Sequence, residues 1–206
     1  MLLSFLSSSE AKQLAATIQK LLRHDISGWA LTGGIATEVH LLVAGSQPSA
    51  RPLNDLDFIT GSFDSIPANL GSDFLFRHVH PLAPPGKTLL QFVDPETALR
   101  IDVFRAFGDT MRRTSNAKRA DGTLRLIALE DQLARSARLA LDLAGGVPIP
   151  SKYATDFLRL TELKHGGMEI AWQEQRKANH PATFEEAARL LRALIPQNRD
   201  LLITPH

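Results

Sequence analysis

Residues 29–57 read WALTGGIATEVHLLVAGSQPSARPLNDLD, and this stretch contains the pattern that decides the fold. Residues 29–32 have the composition of a buried strand, and the pair Gly33-Gly34 follows as a turn. The apolar spacing of residues 35–43 predicts a helix, after which a loop rich in Gly, Ser and Pro leads to a second strand. A strand, a glycine turn, a helix and a second strand are therefore predicted in succession.

Three carboxylates accompany these elements. Asp55 and Asp57 lie two residues apart on the second strand, and Asp102 lies in a later apolar strand, LRIDVF. Because alternate side chains of a strand point to the same face, Asp55 and Asp57 are predicted to lie side by side, with Leu56 and Phe58 facing the core. Adjacent carboxylates repel, and unpaired buried charge is costly, so the pattern predicts a cation between them.

Each of these signals has an ordinary explanation when it stands alone. A Gly-Gly pair at a turn usually meets only a conformational requirement. Most Asp-x-Asp pairs are solvated strand ends, and a lone aspartate in an apolar strand is often an edge position facing water. Their occurrence together, in this order and on these elements, favours a functional site.

The composition is that of an ordinary globular protein. The chain has 206 residues, of which 44% are hydrophobic and 22% are charged, so one moderate domain or two small ones are expected. A formal net charge of +1 gives no global argument for nucleic acid or an anionic membrane. The absence of cysteine excludes disulfides and thiolate metal sites, and it fits a cytoplasmic location. No apolar run approaches the roughly 18 residues of a membrane span, so no membrane partner is expected.

The order of elements predicts an α+β core followed by a helical subdomain, with domains at 1–125 and 126–206. Within the core, residues 88–93 and 98–104 are β-rich, and the turn residues 94–97 between them predict a hairpin. A further strand is predicted at 74–79. Helices are predicted at about 8–23, 129–144, 151–165, 168–178 and 184–195.

A family resemblance follows from these motifs. A strand ending in Gly33-Gly34, a helix, the strand with Asp55-Leu56-Asp57 and the later Asp102 together resemble the nucleotidyltransferase superfamily, which has the DNA polymerase β-like fold. Residues 51–57, RPLNDLD, are similar to those of small bacterial members. These include antibiotic-modifying enzymes and toxins of abortive-infection and type IV toxin–antitoxin systems.

The resemblance covers about residues 29–104 and, more loosely, residues 151–160. The chain departs from the family pattern in two places. Twenty residues separate Gly34 from Asp55, which is more than is typical of the family, and the excess is assigned to the loop at 44–50. Gly34 also stands where many members have serine.

The resemblance implies a mixed β-sheet with flanking helices and an enzyme that uses an NTP. The enzyme would move an NMP to an acceptor hydroxyl or phosphate, on a small molecule, an RNA or a protein, and release pyrophosphate. Asp55, Asp57 and Asp102 would be catalytic and would hold Mg²⁺ or Mn²⁺. The residues implied to bind the nucleotide phosphates are Gly33, Gly34, Arg51 and Lys152.

Ordinary explanations exist for the basic residues as well. Arg51 is equally well a surface arginine beside a proline. Lys152 and Asp156 could form an exposed pair one helical turn apart, although lysine before aspartate is the less favourable orientation. A further basic cluster either steers an anionic substrate or RNA, or is a solvated loop; it comprises Arg112, Arg113, Lys118 and Arg119.

Two other functions remain open from the sequence. One is a toxin-like nucleotidyltransferase that acts on tRNA or a protein and has a cognate antitoxin. The other is a non-catalytic module that keeps the fold and only binds a nucleotide or a partner. Growth arrest relieved by aspartate variants would favour the first, and nucleotide binding without pyrophosphate release would favour the second.

Overall fold

The computed structural model describes residues 6–49, 52–78, 85–119 and 122–204, with only the backbone described at residues 118, 119 and 122. The predicted site residue Arg51 therefore lies outside the described residues. The chain divides into two compact units, Met1–Ile127 and Ala128–His206.

The first unit contains a mixed β-sheet with helices. Its strands are β1 (Trp29–Leu31), β2 (Asp55–Thr60), β3 (Leu75–Phe76), β4 (Leu89–Val93), β5 (Arg100–Arg105), β6 (Ser115–Arg119) and β7 (Gly122–Leu126). Its helices are α1 (Ser8–Leu21), α2 (Gly33–Val43) and α3 (Thr110–Arg113). Within the described residues the sheet has seven strands in the order β3-β4-β5-β2-β1-β7-β6. The pairs β2–β5 and β1–β7 are parallel and the others are antiparallel, which confirms the predicted α+β class.

The core of this unit forms where the central strands bury their apolar positions. Leu56 and Phe58 on β2 are buried, as the strand alternation predicts, and the rings of Phe58 and Trp29 lie 5.5 Å apart. The amphipathic helix α1 begins with a capping box, in which the Glu10 amide donates to Ser7 and the Ser7 amide donates to Glu10.

The predicted hairpin between β4 and β5 is confirmed. Val93 pairs with Arg100 across the two strands, and the turn between them is closed by hydrogen bonds of Asp94 with Leu99 and Ala98. Ala98 has φ 58°, a left-handed conformation that lets so short a connection reverse the chain. This turn fixes the register of the strand that carries Asp102.

The edges of the sheet differ from the sequence prediction. Of the strand predicted at 74–79, only Leu75–Phe76 is a strand within the described residues, and both side chains are exposed. The basic stretch after β5 contains α3 and β6, neither of which was predicted. Both β3 and β6 are edge strands, where burial does not impose a clear apolar alternation.

The second unit is mainly helical, as predicted. Its helices are α4 (Leu129–Ala140), α5 (Ser151–Leu160), α6 (Glu169–Gln175) and α7 (Phe184–Gln197), and the short strands β8 (Ile149–Pro150) and β9 (Leu202–Ile203) pair in parallel. Helix α7 begins with a capping box formed by Thr183 and Glu186. No helix among the described residues is long and apolar enough to cross a membrane.

The predicted helix at 151–165 is too long, because α5 ends at Leu160. The chain leaves α5 through a turn in which the amides of Glu162 and Leu163 donate to the carbonyls of Arg159 and Leu160. Beyond this turn the amide of Gly166 donates to Glu130, in the first turn of α4, at 2.6 Å. The predicted helix at 168–178 is also too long, since α6 ends at Gln175.

Candidate functional site

Two parallel neighbouring strands bring the three predicted carboxylates together. In the register of β2 and β5, Asp57 lies opposite Asp102, and Asp55 lies opposite Arg100. One oxygen from each of Asp55, Asp57 and Asp102 lies within 4.8 Å of the other two. These three residues are called the acidic site below.

The strand alternation explains why the acidic site forms on one face. Asp55 and Asp57 are half-buried, whereas Leu56 between them is fully buried on the opposite face. Asp102 is only 5% exposed, because β5 lies in the interior of the sheet with β4 on its other side. The acidic site therefore has a buried end at Asp102 and a more open end at Asp55.

Gly33 is required by its contact with Asp57. Gly33 has φ +66°, and a Cβ at this position would lie 2.6 Å from Cγ and 2.7 Å from Cβ of Asp57 and would overlap its carboxylate. The amide of Thr32 donates to the Asp57 carbonyl at 2.9 Å, which ties the same turn to β2. Since no other residue fits, the glycine places the N-terminus of α2 directly against the acidic site.

The start of α2 is suited to an anion. The first amides of a helix have no acceptor within the helix, and the helix dipole makes this end positive. The first turn of α2 contains no acidic residue, and its N-cap Thr32 makes no side-chain capping hydrogen bond. Gly34 lies in this turn with ordinary helical geometry, so its role differs from the steric role of Gly33.

Arg100 supplies a positive charge that the sequence prediction did not assign to the site. Its Nη2 lies 2.5 Å from Oδ2 of Asp55, and its Nε lies 3.1 Å from Oδ1 of Asp102. Burial alone would lower the pKa of Arg100, but the charges of Asp102 and Asp55 outweigh it and raise this pKa. The sequence did contain a signal for this role of Arg100, because Arg100 and Asp102 are two residues apart and therefore share a face of the strand.

The surroundings of Asp102 disfavour the charged form of its carboxyl group. Burial raises the pKa of Asp102, and the nearby charge of Asp55 acts in the same direction. A hydrogen bond from Gln91 and the charge of Arg100 oppose this shift without cancelling it. The charged form of Asp102 is therefore disfavoured, and a cation bound beside it would stabilise that form.

The donor set fits a hard divalent cation. Mg²⁺ and Mn²⁺ prefer oxygen ligands, and they are commonly held by a few carboxylates together with substrate phosphates. The three carboxylates offer such oxygens, and the missing side chain of Gly33 leaves room for the Asp57 carboxylate beside the start of α2. The residues of the acidic site are therefore chemically suited to hold Mg²⁺ or Mn²⁺.

Lys152 and the basic cluster lie on other elements of the chain than the acidic site. Lys152 lies in α5 of the second unit, half-buried, with its ammonium 5.9 Å from the ring centre of Tyr153, and its predicted phosphate contact stays a prediction. In the basic cluster Arg112 is 81% exposed and lies 3.6 Å from Asp109, which is typical of a solvated surface pair.

Replacement of Arg100 by methionine is expected to destabilise the protein by about 1–2 kcal/mol at neutral pH and low salt, because the pairs it forms are partly solvent-exposed. Asp102 has a folded-state pKa above its unfolded value, so its contribution to stability is present at acidic pH and lost as pH rises through the folded pKa. Without Arg100 this pKa rises further, and the destabilisation should therefore grow from acidic to neutral pH.

The measurement is thermal unfolding of the wild type and the Arg100→Met variant from acidic to neutral pH, with and without Mg²⁺. Added Mg²⁺ should raise the melting temperature of the variant more than that of the wild type, because the cation replaces the missing charge. Arg112→Met removes an exposed arginine as the control. A pH-independent loss that Mg²⁺ does not reduce would contradict this role of Arg100.

Comparison with solved structures finds distant likenesses over nearly the whole chain. An antigenic nucleotidyltransferase-like protein from Paracoccidioides brasiliensis aligns over 97% of this chain and 96% of its own, with 17% identity and a TM-score of 0.47. JHP933 from Helicobacter pylori aligns over 95% of this chain and 97% of its own, with 13% identity and a TM-score of 0.37. No protein-family model and no curated protein matches the sequence. Neither likeness assigns a role to any residue.

Proposed function

We propose that the protein is a divalent-metal-dependent nucleotidyltransferase. It would transfer an NMP from an NTP to an acceptor hydroxyl or phosphate and release pyrophosphate. The observation that carries this proposal is the convergence of Asp55, Asp57 and Asp102 within 4.8 Å, on two parallel strands, beside a glycine that admits no side chain.

The acidic site is suited to phosphoryl transfer because this reaction needs positioning and charge neutralisation rather than covalent participation of the protein. Asp55, Asp57 and Asp102 would hold Mg²⁺ or Mn²⁺. When bound, these ions neutralise charge on the triphosphate and lower the pKa of an acceptor hydroxyl. The half-buried Asp55 and Asp57 lie where a bulky, hydrated triphosphate can approach, whereas Asp102 lies at the buried end.

The bond changes are those of a displacement at the α-phosphorus. The acceptor oxygen forms a bond to this phosphorus, and the bond from the phosphorus to the bridging oxygen of pyrophosphate breaks. The bridging oxygen keeps the electron pair, and the proton of an acceptor hydroxyl is released to solvent. The chain itself binds and orients the reactants during this exchange.

The N-terminus of α2 would bind phosphate oxygens. Gly33 brings the backbone against Asp57, and Gly34 adds no side chain of its own to the first turn of the helix, so amides there would face the anion. Arg51 and Lys152 are proposed as further phosphate ligands, and these two assignments come from the sequence resemblance alone.

The test is a screen of the four NTPs, each with Mg²⁺ or Mn²⁺, for pyrophosphate release. Bulk tRNA and small aminoalcohols serve as separate acceptor mixtures. We expect release with at least one NTP, dependent on the metal and abolished by EDTA. Loss of the signal in Asp55→Asn protein would exclude a contaminating enzyme.

The same screen separates the other functions. Labelling of tRNA or protein, together with growth arrest that the aspartate variants relieve, would favour a toxin-like enzyme with an antitoxin. Nucleotide binding in the absence of metal, with no pyrophosphate release under any condition, would contradict the proposal and favour a non-catalytic binding module.

A further inference from the structure

A buried glutamine lies directly beside the acidic site. Gln91 is on β4, where the antiparallel register places it opposite Asp102 on β5, and it is only 3% exposed. Its Nε2 donates to Oδ1 of Asp102 at 3.0 Å. A carboxylate only accepts hydrogen bonds, so the amide must present its NH₂ group rather than its oxygen to Asp102.

The contacts of Asp102 are concentrated on one of its two oxygens. The hydrogen bond from Gln91 ends on Oδ1, and the ion pair with Arg100 ends on the same atom at 3.1 Å. Among the described residues these are the hydrogen bond and ion pair that the Asp102 carboxylate makes. Oδ2 is therefore the oxygen that remains to meet a cation.

We propose that Gln91 is a positioning residue that holds Asp102 so that it offers a single oxygen to the metal. This inference rests on the proposed function, because it assumes that the acidic site binds a divalent cation. A hydrogen-bonded carboxylate keeps its orientation, and partners of this kind strongly affect metal affinity. Gln91 acts on the metal through Asp102.

The consequence is a preference between cations. Mg²⁺ and Mn²⁺ are bound well by carboxylates that each give one oxygen, and Mg²⁺ retains several waters. Ca²⁺ takes more oxygens and often binds both oxygens of a carboxylate. With Oδ1 of Asp102 engaged by Gln91 and Arg100, the two-oxygen mode is blocked at this ligand, so the site favours Mg²⁺ and Mn²⁺ over Ca²⁺.

The neutral amide also suits the charge of the site. A glutamate at position 91 would place a fourth carboxylate beside the buried Asp102, and the two charges would repel. Glutamine supplies a hydrogen-bond donor without adding negative charge. It also leaves Arg100 as the counter-charge for Asp55 and Asp102.

The test is the affinity for Mg²⁺, Mn²⁺ and Ca²⁺, measured by titration calorimetry without nucleotide. Gln91→Met keeps the length of the side chain and removes the donor; it should weaken Mg²⁺ and Mn²⁺ binding by about tenfold. The affinity for Ca²⁺ should fall less, so the ratio of the Mg²⁺ affinity to the Ca²⁺ affinity should become smaller. Gln175→Met, a change of a buried glutamine in α6, is the matched control and should leave the preference unchanged.

A second variant covers the case in which Gln91→Met does not fold. Gln91→Glu keeps the size of the side chain but replaces the donor with an acceptor, and it should narrow the preference in the same way. If the wild type binds the cations and the folded variants bind them with the same affinities and the same preference, the role of Gln91 would be overturned and the proposed function would stand. A wild type that binds none of the three cations would overturn this role and the proposed function together.

Discussion

Asp57→Asn is expected to reduce metal-dependent pyrophosphate release by about a hundredfold to a thousandfold, the scale seen when a preorganised electrostatic group is removed. Asp57 lies opposite Asp102 in the parallel strand pair, and Gly33 packs against its side chain. Asparagine has the same shape but no charge and only one oxygen. The change therefore removes a metal ligand without creating a cavity or a clash.

The variant should remain folded, which separates loss of activity from loss of structure. Removing one of three mutually repelling carboxylates should leave the melting temperature without metal unchanged or slightly higher. The rate of pyrophosphate release, circular dichroism and thermal unfolding are measured on the same samples. Asp109→Asn removes a 62% exposed carboxylate and is the control. Turnover within about threefold of the wild type would contradict the role of Asp57.

The positions of the three aspartates on their strands could be predicted because strand alternation is a local property. Two residues of the same strand with one residue between them share a face whatever the rest of the fold does. Predicting that Asp55 and Asp57 lie side by side required only this rule and the identification of the strand. Predicting that Asp102 joins them required in addition that its strand lie beside theirs. The family resemblance implied this arrangement, and the parallel pairing of β2 and β5 provides it.

The partners of the acidic site could not be predicted because they depend on register between strands. Gln91 meets Asp102 only because the β4–β5 turn pairs Val93 with Arg100, and a shift of one residue would turn Gln91 to the opposite face. The sequence predicted this hairpin but not its register. The left-handed conformation of Ala98 sets this register, and the sequence gives no sign of that conformation because the residue is not a glycine.

A buried ion pair was missed for a different reason. The buried face of α1 is mainly apolar, but it includes Lys20, whose side chain is only 6% exposed. A lysine at such a position is usually solvent-exposed, so its partner has to be known before burial can be predicted. That partner, Asp94, lies in the β4–β5 turn, 74 residues away in sequence.

The ion pair links α1 to the β4–β5 turn, which directly precedes β5. Nζ of Lys20 lies 2.7 Å from Oδ1 of Asp94 and 3.0 Å from Glu96, and Thr17 donates to the other oxygen of Asp94 at 2.7 Å. The side chain of Asp94 has no solvent exposure. Burial alone would raise the pKa of Asp94, but the hydrogen bonds from Lys20 and Thr17 lower it below its ordinary value.

Lys20→Met is therefore expected to destabilise the protein by about 3 kcal/mol or more, because it leaves a buried carboxylate without its cation. Urea-induced unfolding at pH 7 measures the loss. Lys12→Met, which removes an exposed lysine from the same helix, is the control and should change stability little. In Lys20→Met/Asp94→Asn protein no buried charge is left unpaired, since Glu96 is exposed, so most of the lost stability should return.

The pH dependence gives an independent check on the same pair. A carboxylate with a lowered folded-state pKa stabilises the protein above its unfolded pKa of about 3.9, and this contribution is lost as pH falls through the folded pKa. Lys20→Met removes a principal cause of the lowered pKa, so the variant should lose less stability on acidification than the wild type. A double variant as unstable as Lys20→Met would show that packing of the lysine stem, rather than the charge on Asp94, accounts for the effect.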